Sequence, residues 1–408
     1  MRLQLKNIGK LAEADVELKG ITVIGGENDT GKSTVGKVLF SVFNGFYHLD
    51  RKIKTERRKS ISNILDTLKP SAHDILFEIQ KVTLADKIVK NMDDYQKNAI
   101  LLQNTIASAF NQDEFDDIEK ITQRIIDVLD LPRFNIVESL LQDNFKEEFD
   151  GQISRISCGE KSKISLTIRK EVASIELDNH AITSIKEIVP LDTEVIYIDN
   201  PFVLDEMIVE NWELKSHKGL LTRKLALNSK QDNVVDALIV KKKMNFILEK
   251  LNIACDGAIV DKGTTFVYQS PKVDESLSMK NVSTGIKMFA IIKRLIENGA
   301  LGFNSTLILD EPEIHVHPKW QLVFAEIIVL LQKEFDMHIL LNTHSPYFLE
   351  AIEVYSKKHG IEEKCRYYLS ENTEDGAVIR DVTDCTGKIY KKLAEPFQTL
   401  ENVRYEDA

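Results

Sequence analysis

Cysteine is scarce: the 408 residues include four, Cys158, Cys255, Cys365 and Cys385, far apart and without C-x-x-C spacing. That pattern excludes a disulfide framework and a clustered zinc site, and it reads as reduced thiols in a cytoplasmic protein. Long apolar runs are missing too. None approaches the ~20 residues that a membrane span needs, and the opening Met1-Arg2-Leu3-Gln4-Leu5-Lys6 has no signal-peptide core, so no membrane partner is expected. Basic charge is in deficit, with 53 Lys and Arg against 64 Asp and Glu and a net charge of −11. Indiscriminate coating of nucleic acid is therefore disfavoured, although a local basic groove is not. No internal repeat, low-complexity segment or sustained heptad is present. What remains is a globular composition, 43% hydrophobic and 29% charged, in a chain long enough for two or three units of ~100–200 residues each.

Against that plain background one stretch stands out: Gly25-Gly26-Glu27-Asn28-Asp29-Thr30-Gly31-Lys32-Ser33-Thr34. From Gly26 to Ser33 it fits G-x-x-x-x-G-K-[ST], the phosphate loop. Ile21-Thr22-Val23-Ile24 before it is a short apolar strand, and Val35 to Phe43 after it continues as a helix. In that context backbone N–H groups and a helix N-terminus surround the phosphates of a nucleoside triphosphate. Lys32 would neutralise the β- and γ-phosphates, and the Ser33 hydroxyl would ligate Mg²⁺. The competing reading is a chance glycine-rich turn.

Upstream, Leu3, Leu5, Val16 and Leu18 alternate in the manner of strands, with turns at Asn7-Ile8-Gly9 and Lys19-Gly20. Two strands therefore precede the phosphate-loop strand and are expected to form a small antiparallel sheet beside it. From about His48 to Phe149 the chain is charged, glycine-poor and helical in period, broken by Pro70 and Pro132. This predicts a packed helical insertion over 48–150. It opens with Arg51-Lys52-Ile53-Lys54-Thr55-Glu56-Arg57-Arg58-Lys59, which either meets the phosphates of a nucleic acid or is a solvated helix face. A mixed α/β continuation with a second helical part follows over 151–280. Lys163–Ile168 and Val172–Leu177 read as a hairpin, Glu194–Asp199 as a buried strand, and Ala258 to Tyr268 as strands again.

The remaining chemistry lies in 281–408. Thr306-Leu307-Ile308-Leu309-Asp310-Glu311-Pro312 is an apolar strand that delivers two adjacent carboxylates at its C-terminal end, where ligands collect in open α/β sheets. Asp310 would hold Mg²⁺ through its water shell, and Glu311 would polarise the water that attacks the γ-phosphate. A second buried strand, Met337 to Thr343, ends at His344, which can donate a hydrogen bond to the γ-phosphate and that water. Ser283-Thr284-Gly285 opens an amphipathic helix, Ile286 to Glu297, and offers a hydroxyl and free N–H groups to an anion. Ser157-Cys158-Gly159-Glu160-Lys161 looks similar but runs into a strand pattern far from the carboxylates, so it is set aside. His315 and His317 have no third metal ligand near them in sequence. They read as a loop at a subunit interface, with Pro318 opening a helix through Phe335.

Phosphate loop, Ser-x-Gly helix, Asp-Glu strand and strand-end histidine, in that order, resemble the ABC ATPase class. The opening strands look like its branch containing RecF, the SMC-type repair ATPases and the OLD (overcoming lysogenization defect) family. Asp310-Glu311-Pro312-Glu313, His315-Val316-His317-Pro318 and Asn342-Thr343-His344-Ser345-Pro346 are especially similar to OLD-type ATPases. The resemblance covers residues 1–45 and 280–350. It implies an α/β fold, a P-loop NTPase of the ABC-type ATPase head with N-terminal antiparallel strands and a helical insertion. It also implies hydrolysis of ATP with Mg²⁺ in a homodimer that sandwiches two nucleotides. Ser283 and Gly285 of one subunit would then reach the γ-phosphate bound by Lys32 of the other.

Three departures stand out. The signature turn reads Ser-Thr-Gly-Ile-Lys where many members have Ser-Gly-Gly-Gln, so Lys287 adds a charge. No glutamine loop is evident beyond Asp199-Asn200. Only about sixty residues follow His344, too few for the TOPRIM nuclease of many OLD relatives, and Tyr367–Leu369 with Ala377–Val382 reads as a closing hairpin. The expectation is an ATPase that regulates a separately encoded effector such as a nuclease, in anti-phage defence or DNA processing. The rivals are the ATP-binding subunit of a membrane transporter and a toxin that acts on nucleic acid by itself.

Overall fold

The opening hairpin follows from its alternation. In β1 (Arg2–Ile8) Leu3 and Leu5 point inward while Arg2, Gln4 and Lys6 are exposed, and β2 (Leu11–Glu17) sets Val16 opposite Leu3 and Ala14 opposite Leu5. Gly9, at φ 55°, supplies the left-handed position in the turn between them. β3 (Ile21–Gly26) is buried along its whole length, so it needs a partner on each side. It leads through the phosphate loop into α1 (Lys32–Phe46). The computed structural model describes residues 1–68, 75–110, 118–156, 159–206, 216–226 and 234–406, with the backbone alone at 234–242 and 405–406. Pro70, Ser157 and Cys158 therefore lie outside the described residues.

The chain divides into two compact units, one of residues 48–141 and the other of 1–47 with 142–408. The smaller contains α2 (Leu49–Leu65), α3 (Ile75–Lys90), α4 (Met92–Lys97), α5 (Ala99–Phe110), α6 (Ile118–Asp130) and the start of α7 (Arg133–Phe149). Its own core includes Ile61, Leu65, Ile88, Leu102, Ile106 and Ile125. Pro132 separates α6 from α7. The basic run lies on α2, where Arg57 donates to the carbonyl of Leu131 at 2.8 Å, Arg58 pairs with Asp86 at 3.3 Å and Lys59 with Glu56 at 2.9 Å.

In the larger unit β4 (Ser162–Ile168) and β5 (Glu171–Asp178) form the expected antiparallel hairpin, extended by β6 (Ala181–Lys186). The β5–β6 turn is the residue pair Asn179-His180, both at positive φ as a two-residue hairpin turn requires. β7 (Val195–Ile198), α8 (His217–Ala226) and α9 (Val234–Ala254) follow. β8 (Ala258–Asp261), β9 (Phe266–Gln269) and β10 (Leu277–Ser278) make a separate three-stranded sheet. The last third alternates α10 (Thr284–Glu297), β11 (Thr306–Asp310), α11 (Pro318–Phe335), β12 (His338–Thr343) and α12 (Pro346–Lys358). It ends with β13 (Cys365–Thr373), β14 (Gly376–Asp381) and α13 (Gly387–Glu406).

One sheet joins eleven of these strands in the order β6-β5-β4-β1-β2-β14-β13-β3-β12-β11-β7. Its first half is antiparallel, and β13, β3, β12, β11 and β7 run parallel to one another. Two sequence expectations are corrected here. β1 and β2 do pair antiparallel, but they are not beside β3, because β14 and β13 stand between them. The final hairpin therefore closes nothing at an edge. β13 is the parallel neighbour of β3 across Cys365 to Ser370, and it supplies one of the two partners that the fully buried β3 requires. α13, which the sequence reading did not anticipate, follows it.

Parallel register brings the chemistry to one edge. Asn342 lies opposite both Asp310 and Ile24, and Thr343 opposite Gly25, so the C-terminal ends of β3, β11 and β12 come level. Beneath them Val23, Leu307, Leu309, Ile339 and Leu341 pack with Phe289, Phe324 and Phe348 of the helices.

Candidate functional site

The phosphate loop is shaped by its two glycines. Gly31 caps α1 at φ 82°, where a side chain would be strained and its Cβ would meet Leu11 Cδ2 at 2.6 Å. A Cβ on Gly26 would lie 2.4 Å from the Ser370 carbonyl oxygen on β13. Ser370 also ties the loop down through its hydroxyl, which donates to the Thr30 carbonyl at 2.6 Å. Lys32 opens α1, is 4% exposed, and donates from Nζ to the carbonyls of Gly26 (3.1 Å) and Glu27 (2.7 Å). The ammonium is thus held in place at a helix N-terminus whose first N–H groups lack helical partners. Asn28, Asp29, Thr30, Gly31, Lys32, Ser33 and Thr34 line a cavity of about 280 Å³ together with Lys10 and Glu311. Gly26 and Glu27, in the same loop, do not line the cavity; Glu27 pairs with Lys392 of α13 at 3.5 Å, and Lys10 pairs with Asp29.

Two predicted residues, Lys32 and Glu311, line this cavity, and a third, His344, stands against Glu311. Glu311 Oε1 is 3.6 Å from Lys32 Nζ and 3.4 Å from His344 Nδ1. The second contact is an ion-pair distance without hydrogen-bond alignment. Glu311 sits at φ 50°, a left-handed conformation that costs a non-glycine residue of order 1–3 kcal/mol. Its N–H donates to the Asn342 carbonyl at 2.9 Å, which secures that turn at the strand end. His344, and after it Lys32, hold the Glu311 carboxyl below its usual pKa against the effect of burial. In return Glu311 raises the pKa of His344. Glu311 is therefore an ionised acceptor at neutral pH.

Asp310 is 8% exposed, and both its oxygens are committed: Oδ2 accepts from the Tyr197 hydroxyl at 2.9 Å and Oδ1 from Asn342 Nδ2 at 2.9 Å. Burial and Asp310 keep the Tyr197 phenol protonated, as a donor. The carboxylate is thus aimed by a strand on either side, Tyr197 from β7 and Asn342 from β12.

Glu313 is the site residue that the sequence reading passed over. It is 2% exposed, and its Oε1 accepts from the Thr343 hydroxyl and from the His344 N–H (3.2 Å). Its Oε2 has no partner, and burial raises its pKa. Gln321 bonds the Glu313 and Val316 carbonyls at 3.2 and 2.9 Å and accepts from Ser345 Oγ at 3.3 Å. The loop after β11 and the loop after β12 are thereby tied together. Only the spacing of Glu313 from Asp310 hinted at this.

Ser283 and Gly285 stand at the start of α10 and do not line the phosphate-loop cavity. A Cβ on Gly285 would come within 3.1 Å of the His315 carbonyl. Thr284 instead shares a second cavity, about 190 Å³, with Glu311, Asp199, Asn200 and His315. Lys287 is buried at 2% exposure, and its Nζ bonds both oxygens of Asp205 at 2.7 Å. Its charge is spent inside the unit. His317 accepts at Nδ1 from the Lys319 N–H (3.3 Å) and caps α11, while His315 stands edge-on to Phe202 at 5.6 Å. Among the described residues no group of three His, Cys, Asp or Glu is placed to hold a metal ion. No described helix is long and apolar enough to cross a membrane.

A family model described as "AAA domain, putative AbiEii toxin, Type IV TA system" matches residues 21–350. Solved structures with a similar course include the SMC head domain from Thermotoga maritima, at 10% identity and TM-score 0.42, covering 93% of this chain and 98% of that one. The SmcHead bound to the C-winged helix domain of ScpA matches at 8% identity and TM-score 0.43, covering 93% and 97%. The Smc head domain with an extended coiled coil, bound to the C-terminal domain of ScpA derived from Pyrococcus furiosus, matches at 10% and 0.35, covering 99% and 98%. At those scores the likeness carries no argument about this chain.

Proposed function

The chain belongs to the AAA-domain family matched over residues 21–350, and from that premise we propose that it binds and hydrolyses ATP and closes as a homodimer around the nucleotide. The observation that carries the reading is that Lys32 and Glu311 line the cavity of the phosphate loop within 3.6 Å of each other, with His344 3.4 Å from the same Glu311 oxygen. Gly26 to Thr34 would cradle the phosphates, and the pre-set Lys32 ammonium would neutralise charge on the β- and γ-phosphoryl oxygens. Ser33 and Asp310 would hold Mg²⁺, which when bound offsets the charge of the phosphate oxygens; the buried, doubly aimed Asp310 carboxylate suits a hard cation. Glu311, kept ionised, accepts a hydrogen bond from the attacking water and orients it in line with the γ-phosphorus. His344, beside Glu311, donates to the transferring phosphoryl group.

Ser283 and Gly285 lie outside the cavity of their own chain, and in this reading they complete the site of a second copy. Hydrolysis should then rise more steeply than linearly with protein at low concentration. Ser283→Arg and Lys32→Ala should each be inactive alone and partly recover when mixed, because each mixed dimer has one intact site. A rate strictly linear in protein, with a monomer by light scattering in saturating ATP, would defeat the dimer.

The finer assignment is an OLD-type ATPase that regulates a separately encoded effector, a nuclease in anti-phage defence or DNA processing. It rests on the resemblance of residues 310–318 and 342–346, and identification of what co-purifies with the chain tests it. A second reading, a toxin acting by itself on nucleic acid, is favoured by the family's description; cleavage of RNA or DNA by the purified chain alone would decide for it.

A further inference from the structure

Tyr197 does more than donate to Asp310. Its ring stacks on His217, with centroids 4.5 Å apart at 29°. Phe40 of α1 closes the group, 5.9 Å from His217 and 6.3 Å from Tyr197. His217 opens α8 and is itself gripped from two sides. Glu148 on α7, 5% exposed, accepts the His217 backbone N–H on Oε1 at 2.7 Å and faces the ring Nδ1 with Oε2 at 2.7 Å. Asp199 Oδ2 stands 3.1 Å from the other ring nitrogen, an ion-pair distance without hydrogen-bond alignment. Burial opposes the imidazolium, but Asp199 and Glu148 outweigh it and push the pKa up to about 9. A cationic ring gains attraction from the tyrosine π-face on which it lies. The imidazole is thus bonded at Nδ1 and faces a second carboxylate at Nε2, and it backs the ring whose hydroxyl aims Asp310.

We propose that Glu148, His217 and Tyr197 form a positioning chain that fixes the Asp310 carboxylate for a divalent cation. The proposal rests on the ATPase reading above, in which Asp310 helps to hold Mg²⁺. None of the three lines the phosphate-loop cavity. A separate cavity of about 470 Å³, lined by Glu148, Asp199 and His217 with Lys37 and Lys218, lies over the far end of the chain. Outer partners of a metal-holding group typically change metal affinity 10–100-fold without touching the ion. A simple packing role for His217 would instead lower stability with no selective effect on the metal.

Mn²⁺ binding to the full chain, loaded with a non-hydrolysable ATP analogue, is read by electron paramagnetic resonance. Binding of a fluorescent version of the analogue in EDTA is read separately. Tyr197→Phe, His217→Gln and Glu148→Gln should each weaken Mn²⁺ binding about tenfold while shifting metal-free analogue affinity less than twofold. Tyr197→Phe combined with His217→Gln should be no worse than Tyr197→Phe alone, because both act through one hydroxyl; independent effects would multiply. Wild-type Mn²⁺ affinity in His217→Gln and Glu148→Gln, or a multiplied loss in the double variant, overturns the proposal. Asp310→Asn separates the two levels. If it alone loses Mn²⁺, the ATPase reading stands and the positioning chain is refuted. If it keeps wild-type Mn²⁺ affinity, the metal role of Asp310 fails and the chain with it. Should His217→Gln not fold, Glu148→Gln decides alone, since its amide oxygen preserves the bond to the His217 backbone.

Discussion

Replacing Glu313 by alanine separates a residue that holds the site together from one that merely follows it in sequence. The carboxyl is 2% exposed and accepts from two donors, the Thr343 hydroxyl and the His344 N–H. Truncation leaves both donors at a site closed to water, at about 1–3 kcal/mol each. Against this stands the desolvation of the carboxyl itself, whose Oε2 is unpartnered and whose pKa burial raises. The net expectation is a loss of about 2–4 kcal/mol for Glu313→Ala. Glu313→Gln keeps an acceptor oxygen and leaves one amide donor unpaired, for about 1 kcal/mol. Trp320 belongs to the larger unit, and neither tryptophan of the sequence falls in 48–141, so urea unfolding followed by tryptophan fluorescence reads that unit. Activity should fall with stability: a His344 backbone released from Glu313 misplaces the ring beside Glu311, at ~10-fold or more in kcat. The reasoning is refuted by a Glu313→Ala protein that unfolds within ~0.5 kcal/mol of wild type and turns over at the same rate, the scatter expected of ordinary surface changes.

Lys287→Met should destabilise the larger unit by about 2 kcal/mol in the same urea assay, less than the usual 3–5 for a broken buried pair because Asp205 reaches water. A signature-turn lysine that faces a partner would instead leave unfolding unchanged. His217 has a pKa raised from 6.5 to about 9 in the folded chain. The sign follows from linkage: the imidazolium contribution is fully present below about pH 6.5 and is lost as pH rises through about 9, a span worth about 3 kcal/mol. The gap in unfolding free energy between wild type and His217→Gln should therefore shrink between pH 6 and pH 10; a gap that widens with pH contradicts the assignment.

The parts of the site that were legible in the sequence are those that a local pattern writes. Gly26 and Gly31 mark a loop that only glycine can make, and the apolar runs before Asp310 and His344 mark buried strands with chemistry at their ends. The β4–β5 hairpin and the helix from Pro318 to Phe335 were equally local. The illegible parts depend on contacts distant in sequence. Nothing around Cys365 to Ser370 says that this strand enters beside β3, more than 300 residues earlier, because parallel pairing has no turn to announce it. Tyr197 and Asn342 aim Asp310 from two other strands, and neither residue type is remarkable at a strand end. Lys287 reads in the sequence only as an added charge, because its partner, Asp205, is 82 positions away.

The central claim is that this cavity hydrolyses ATP with Glu311 aiming the water. Its most direct test is steady-state phosphate release from Mg²⁺·ATP by the wild-type chain, Glu311→Gln and Lys32→Ala, with binding of a fluorescent ATP analogue measured in parallel. The account predicts measurable turnover by the wild type, a Glu311→Gln protein that binds the analogue but releases phosphate at least ~10²-fold more slowly, and a Lys32→Ala protein that does not bind. Turnover by Glu311→Gln close to that of wild type, or analogue affinity unchanged in Lys32→Ala, would contradict it.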